Sequence, residues 1–180
     1  MAFYSNKKNF ASTKKAAQAA TSGAFFKLEA GQRCRVVFLS YPEPYTGYFN
    51  REIKRTIITG PGMAMPGDEP SRTRLVVALW NLDACCHQVW EFSPTTFKLL
   101  NELVELGKYE GYIVSIKREG SGLETKYFLT HIDPADMSSV PEIGFTSAEK
   151  HIQKIEEGTQ DAIKAGDVEG YPATPAPGVF

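Results

Sequence analysis

The stretch QVWEFSPTTFKLLNELVELG, residues 88–107, changes within a few positions from the pattern of a strand to that of a helix. Ser93 suits the N-cap position and Pro94 the first helical position. Gly107 stands where a left-handed residue commonly ends a helix. Apolar residues recur between them at helical spacing, at Phe97, Leu100, Leu103, Val104 and Leu106. We therefore predict an amphipathic helix that begins at Pro94 and ends at Gly107.

Four strands are predicted before this helix. In the first, Cys34, Val36 and Phe38 alternate with other residues at the period of two that marks a half-buried strand. Pro42 and Pro44 are expected to end it. The other three are predicted over residues 48–59, 72–81 and 88–92.

A long connection, GPGMAMPGDEP at residues 60–70, separates two of these strands. Its three glycines and three prolines exclude regular structure. Connections of this length are uncommon in compact domains and are often functional. The pattern is therefore consistent either with a lid over a binding site or with a plain surface loop.

A β-hairpin is predicted after the helix. Residues 112–119 and 124–131 have β-rich composition and are joined by Gly120-Ser121-Gly122. Several strands, one helix and a closing pair of strands is the order of an OB-type barrel. We therefore expect a mainly β fold, an OB-type barrel of five to six strands with one helix. An α+β sheet with one packed helix is the structural alternative.

Charge divides the chain unevenly. Residues 1–28 carry a net charge of +5, residues 29–141 carry −2, and residues 142–180 carry −4. This pattern is typical of proteins in which one terminus meets a polyanion and the other competes with it or recruits partners, although solvation of the two termini also explains it. We expect a flexible basic arm at 1–24, a barrel domain at 25–141, and a short helix with an acidic, proline-rich tail at 142–180.

The sequence argues against a membrane, secreted or catalytic protein. It has no run of 18 apolar residues, and its start lacks the apolar stretch of a secretory signal. Three cysteines, two of them adjacent, suit a reducing compartment. No phosphate-binding, dinucleotide-binding, nucleophile-elbow or zinc-protease motif is present, and neighbouring ligands such as Cys85-Cys86-His87 do not easily converge on one ion. We expect no enzymatic activity, no metal and no cofactor.

Aromatic and basic residues are interleaved along the predicted strands. Flat rings stack on unpaired bases and cations neutralise phosphates, and neither contact reads sequence. Tyr45, Tyr48 and Phe49 are the favoured stacking rings, whereas Trp90 and Phe92 are expected in the core. The predicted contacts to single-stranded DNA are Arg33, Arg35, Tyr45, Tyr48, Phe49, Arg51, Lys54, Arg55, Arg72, Arg74, Trp80, Lys117, Arg118, Lys126 and Tyr127.

A family resemblance lies in four segments that cover about residues 25–131. They are FKLEAGQRCRVVFLS, YTGYF, WNLDACCHQVWEFSPTTFKLLNEL and YIVSIKREGSGLETKYFL. The most specific pieces are W-N-x-D with the aromatic-Glu-Phe strand that follows it, and R-x-G-S-G-L-x-T-x-Y. In these segments the chain resembles the single-stranded DNA-binding proteins of tailed bacteriophages. It lacks a ligand set like that of the zinc-containing members.

The resemblance implies an OB fold without catalysis that coats and protects single-stranded DNA during replication, recombination or repair, in the cytoplasm of an infected bacterium. It also implies self-association on DNA through the basic arm. The acidic tail would contact replication or recombination proteins, and cutting it off after about Lys154 is expected to tighten DNA binding. The alternative is a non-enzymatic phage structural or adaptor protein that uses its barrel for protein contacts. The predicted tail residues are Glu156, Glu157, Asp161, Asp167, Glu169 and Phe180.

Overall fold

The computed structural model describes residues 25–59, 71–140 and 148–168, and in these ranges the chain is mainly β, with seven antiparallel strands in one sheet and two α-helices. The predicted arm at 1–24, the connection at 60–70 and the chain from 169 onward lie outside the described residues. The elements are β1 (Arg33–Phe38), β2 (Glu43–Asn50), β3 (Arg55–Ile58), β4 (Arg72–Asn81), β5 (Cys86–Phe92), α1 (Pro94–Glu105), β6 (Tyr112–Glu119), β7 (Lys126–Pro134) and α2 (Ala148–Ala165).

Strand β4 organises the sheet because it pairs with three other strands. Its residues 72–76 pair with β2, its residues 79–81 pair with β1, and β5 pairs with it over residues 75–81. Away from β4, strand β1 pairs with β6 and β2 pairs with β3, while β7 follows β6. The first half of β4 therefore leads through β2 to β3, and its second half leads through β1 to β6 and β7.

The main core lies between one face of this sheet and helix α1. Val36, Val77 and Leu79 are fully buried there, beside Leu100 of the helix. Trp90 and Phe92, predicted as core, belong to the same cluster and are 2% and 3% exposed. Side chains of β1, β4, β5, β6 and α1 thus share one hydrophobic interior.

The predicted first helix is confirmed at its start and end. Helix α1 begins at Pro94, and Gly107 has a φ of 63°, in the left-handed region. Leu100 and Leu103 of the apolar stripe are buried, but Leu106 is 64% exposed because it lies beyond the helix, at its C-cap. The stripe prediction was wrong for Leu106 and also for Phe97 and Val104, which are each 37% exposed.

Helix α2 forms a second layer and lies in the region, 142–180, where a short helix was predicted. Its residues Ala148 and Ala162 are buried in two hydrophobic clusters, one around Tyr45 and Val76 and the other around Tyr48 and Ile57. The Thr159 hydroxyl accepts a hydrogen bond of 3.0 Å from the backbone N–H of Ile58 in β3. The acidic C-terminal region therefore begins with a helix that is packed against the sheet.

The single strand predicted over residues 48–59 is wrong, because two strands occupy this region. Residues 51–54 turn between β2 and β3, and the Asn50 side chain accepts hydrogen bonds from the backbone N–H groups of Glu52 and Ile53. Pro44, expected to end a strand, lies within β2 opposite Leu75. The described sheet accordingly has seven strands instead of five to six.

Gly47 allows β2 and β3 to approach closely. A Cβ atom at this position would lie 2.5 Å from the carbonyl oxygen of Ile57, which is backbone and cannot move aside easily. We expect Gly47→Ala to lower the free energy of unfolding by about 1–3 kcal/mol, measured by urea denaturation. Gly158 in α2 has open space around its Cα, so Gly158→Ala is the control and should stabilise the protein by about 0.5–1 kcal/mol. Equal effects of the two substitutions would contradict the close contact.

Candidate nucleic-acid interface

Strand β4 and the turn after β2 place three arginines around one cavity of about 410 Å³, which we call the arginine cleft. Residues that face each other in an antiparallel pair lie on the same side of the sheet, and Tyr45 is opposite Arg74 while Gly47 is opposite Arg72. Arg51 reaches the cleft from the turn after β2. The lining residues are Tyr45, Gly47, Tyr48, Phe49, Arg51, Thr56, Arg72, Arg74 and Glu91.

A second cavity, which we call the hairpin groove, has a volume of about 780 Å³ and lies between β5, the start of α1 and the β6–β7 hairpin. Arg74 and Glu91 line both cavities, so the groove adjoins the arginine cleft. Phe128 is 47% exposed at the groove. The basic and aromatic residues that line it are Phe26, Lys27, Arg74, Trp90, Phe92, Arg118, Lys126, Tyr127 and Phe128.

The two cavities together are strongly cationic. Glu91 is the single carboxylate among the described residues that line them. Six basic side chains line the same two cavities, and they are Lys27, Arg51, Arg72, Arg74, Arg118 and Lys126. A concave surface with this excess of positive charge attracts polyanions and concentrates them locally.

Helix α1 points its N-terminal residues into the hairpin groove. Ser93, Thr95 and Thr96 line the groove, and the Ser93 hydroxyl makes no capping hydrogen bond to the helix. The first turn of a helix carries partial positive charge, which favours phosphate nearby. The backbone thus adds to the positive potential of the basic side chains.

Glu91 connects the arginine cleft to helix α2. Its carboxylate lies 3.7 Å from Nε of Arg74 and 4.0 Å from Nε2 of the buried His151. Burial by itself would raise the pKa of Glu91, but the polar groups of His151 and Tyr45 and the charge of Arg74 outweigh it and lower the pKa. The ionised form of this carboxylate is therefore stabilised in the folded protein.

The lowered pKa of Glu91 predicts a stability loss in acid. The stabilisation is complete above the ordinary pKa of 4.5 and is lost as the pH falls through the lower pKa of the folded state. Glu91→Gln should therefore show a smaller decrease in melting temperature than the wild type when the pH is lowered from about 6 to 3, the range in which carboxylates titrate. Glu102→Gln, at an exposed position of α1, should keep the wild-type decrease. If the melting temperature of Glu91→Gln falls as much as that of the wild type, ionised Glu91 does not stabilise the folded protein.

The structure brings together ten of the fifteen predicted DNA contacts. Nine line the arginine cleft or the hairpin groove, and the tenth, Arg55, lies in a neighbouring cavity that Glu91 also lines. Lys27 and Phe128 line the groove but were missed by the prediction. Phe128 follows Tyr127 in a predicted strand, where neighbouring side chains point to opposite faces. If Tyr127 faces the core, Phe128 must face outward, and this alternation could have identified it as an exposed ring.

Four other predicted contacts, which we call the outer group, line neither of the two cavities: Arg33, Arg35, Trp80 and Lys117. Arg35 donates two side-chain hydrogen bonds of 2.9 and 2.7 Å to Asp83, and Lys117 is 2.5 Å from Glu119. Trp80 packs edge to face against His87. The remaining contact, Lys54, has a φ of 53° in the turn before β3. The sheet therefore does not gather all the predicted residues into one site.

Tyr45 and Tyr48 require a correction, because both are 6% exposed. Helix α2 covers them in its two clusters, so their faces are not open to bases, and burial raises the pKa of Tyr45. Phe49, predicted with them, is 52% exposed and lines the cleft. Tyr127 is half-buried and packs edge to face on Trp90 at 5.3 Å between ring centroids.

Some of the predicted tail residues lie in or just after helix α2, and the others lie outside the described residues. Glu156, Glu157 and Asp161 lie on the exposed face of α2, and Asp167 is exposed shortly after it. Glu169 and Phe180 lie outside the described residues. Three of the acidic residues thus belong to a helix that packs on the sheet, and a cut after Lys154 would remove half of that helix.

No membrane-crossing helix or metal cluster is found in the described part of the chain. Neither helix there has the length and apolar character needed to cross a bilayer. No three His, Cys, Asp or Glu side chains in the same ranges are grouped as metal ligands. The three cysteines are free thiols, and burial raises the pKa of Cys34 to about 12, so its reactive thiolate is disfavoured.

Comparison of the chain with known proteins identifies no relative. No protein-family model, no curated protein and no solved structure matches it.

Proposed function

We propose that this protein binds single-stranded DNA without sequence specificity, in the arginine cleft and the adjoining hairpin groove. The observation that carries the proposal is that two adjoining cavities are lined by six basic side chains and, among the described residues, by a single carboxylate. Phe49 and Phe128 expose about half of their surface at these cavities. Cations on phosphates and rings on bases are the two contacts that bind single strands regardless of sequence.

We also propose that the sheet is an OB-type barrel. The single core enclosed by β1, β4, β5, β6 and α1 supports this, and so does the contact between Trp90 of β5 and Tyr127 of β7, which brings two non-paired strands of the sheet close together. OB-type barrels commonly bind oligonucleotides on one face. The resemblance of residues 25–131 to phage single-stranded DNA-binding proteins supports the same assignment. The biological role is then to coat and protect single strands during phage DNA replication, recombination and repair.

Fluorescence anisotropy of labelled oligo-dT tests the binding proposal. We expect binding that weakens steeply between about 50 and 200 mM salt, because each phosphate contact to a single strand contributes about −0.7 to the slope of log K against log salt. A duplex of the same length should compete poorly, since its bases are not available for stacking. Absence of binding at low salt would overturn the proposal and favour a protein adaptor.

A further inference from the structure

Three aromatic rings form a parallel stack at the bend between β1 and β2. Phe38 and Tyr109 have ring centroids 4.8 Å apart and an interplanar angle of 2°, and Tyr41 lies on Tyr109 at 5.4 Å and 15°. Six other ring pairs in the described part of the chain are tilted or edge to face, with angles of 45–89°. The parallel arrangement is therefore a particular feature of this corner of the fold.

The stack leads from the core to the surface. Phe38 and Tyr109 are each 3% exposed, whereas Tyr41 is 53% exposed. One face of the Tyr41 ring lies against Tyr109, so its exposed part is the opposite face and the ring edge. The stack thus ends in a flat ring whose outer face is open to solvent.

The stack is held in place by polar contacts at both of its tyrosines. The Tyr109 hydroxyl donates a hydrogen bond of 2.7 Å to the backbone carbonyl of Ser40, next to Tyr41 in the chain. Hydrogen bonding to Glu110 raises the pKa of the Tyr41 hydroxyl. A ring that is already ordered loses little rotamer entropy when a ligand stacks on it.

We propose that Tyr41 is a stacking platform for an unpaired nucleobase, which extends the path of the strand beyond the arginine cleft. Tyr41 is four positions before Tyr45, which lines that cleft, so their Cα atoms lie within about 14 Å of each other. A single strand that continues from the cleft past the start of β2 would come near Tyr41. This inference rests on the proposed function, because it concerns the same ligand.

Substitution of Tyr41 separates stacking from charge. Tyr41→Ala should weaken oligo-dT binding about 5- to 150-fold, the contribution of one stacked base, and should leave the salt slope unchanged because no cation is removed. Tyr41→Phe keeps the ring without the hydroxyl and should bind within about twofold of the wild type. Equal affinity of Tyr41→Ala and wild type would overturn the platform while leaving binding in the cleft intact. A wild type that does not bind at all would overturn the proposed function itself.

A crosslink on the wild-type chain decides the question even if Tyr41→Ala is unstable. Oligo-dT that carries 5-iodouracil is irradiated in complex with the full chain, and the crosslinked peptides are mapped by mass spectrometry. We expect a crosslink at Tyr41. Crosslinks at Phe49 or Phe128 without one at Tyr41 would overturn the platform and still support binding in the two cavities.

Discussion

Arg72→Ala is expected to weaken the binding of oligo-dT about tenfold and to reduce the slope of log K against log salt by about 0.7, the contribution of one phosphate contact to a single strand. Arg72 is exposed at the start of β4 and lines the arginine cleft. Its side chain lies away from the hydrophobic core, so the melting temperature should stay near that of the wild type. Anisotropy titrations at several salt concentrations measure both quantities.

Arg33→Ala is the matched control for this experiment. Arg33 is also an exposed arginine at the start of a strand, but it lies in the outer group, opposite Lys117 of β6. Removal of the same charge there should change the affinity less than twofold. If both variants lose affinity equally, DNA is attracted by basic side chains on several parts of the surface and not by the cleft in particular. A larger loss for Arg33→Ala would place the strand on the outer group.

Ending the chain after Lys154 is expected to destabilise the protein by more than about 3 kcal/mol, because Tyr48 and Ile57 lose their cover. The cut removes Thr159 and Ala162, which are 1% and 2% exposed against the sheet. In a domain of this size such a loss lowers the melting temperature by about 6–12 °C, measured by circular dichroism. The tighter DNA binding that the charge pattern predicts for this truncation would therefore be masked by partial unfolding.

Ending the chain after Val168 is the corresponding control. It keeps α2 and its buried contacts, and among acidic residues it removes only Glu169. The melting temperature should stay within about 2 °C of the wild type, since the contacts that stabilise the sheet are retained. Equal melting temperatures for the two truncations would show that α2 does not stabilise the sheet. If the chain that ends at Val168 binds DNA more tightly than the full chain, the last twelve residues, 169–180, compete with DNA for the binding site.

The elements with a regular period were predicted well from the sequence. Helix α1 has a proline at its start, a glycine after its end and an apolar stripe, and each signal is local. Strand β4 was predicted with its observed bounds, Arg72–Asn81, because β-branched and leucine residues fill both of its faces. Local signals of this kind are independent of the rest of the fold.

The elements that depend on distant contacts were predicted less well. Strands β2 and β3 were merged because apolar residues stand on both faces, and the second layer that buries Ile57 comes from α2, about a hundred positions later. The same helix covers Tyr45 and Tyr48. A tyrosine ring can pack in a core or stack on a base equally well, so the sequence alone could not show which of these two roles Tyr45 and Tyr48 have.

The sequence predicted which types of residue form the candidate site better than it predicted which of those residues lie together. The arginines of β1 and of β4 look alike in sequence, since each strand begins with two arginines spaced two positions apart and continues with buried apolar residues. Pairing in the sheet separates them, because Arg74 lies opposite Tyr45 while Arg35 lies opposite Ser115 of β6. A cationic cavity is a property of strand order, which the sequence pattern does not specify.

Unpaired DNA that lies in the arginine cleft and the hairpin groove must change the amide and arginine side-chain N–H resonances of the residues that line them. A titration of the isotope-labelled full chain with oligo-dT, followed by nitrogen–proton correlation spectra, should shift residues 47–51, 72–74 and 126–128 and the Nε–H signals of Arg72 and Arg74. Signals of Arg33, Ser115 and Lys117 should move little. Largest shifts at those three residues, or no shifts at all, would contradict the account.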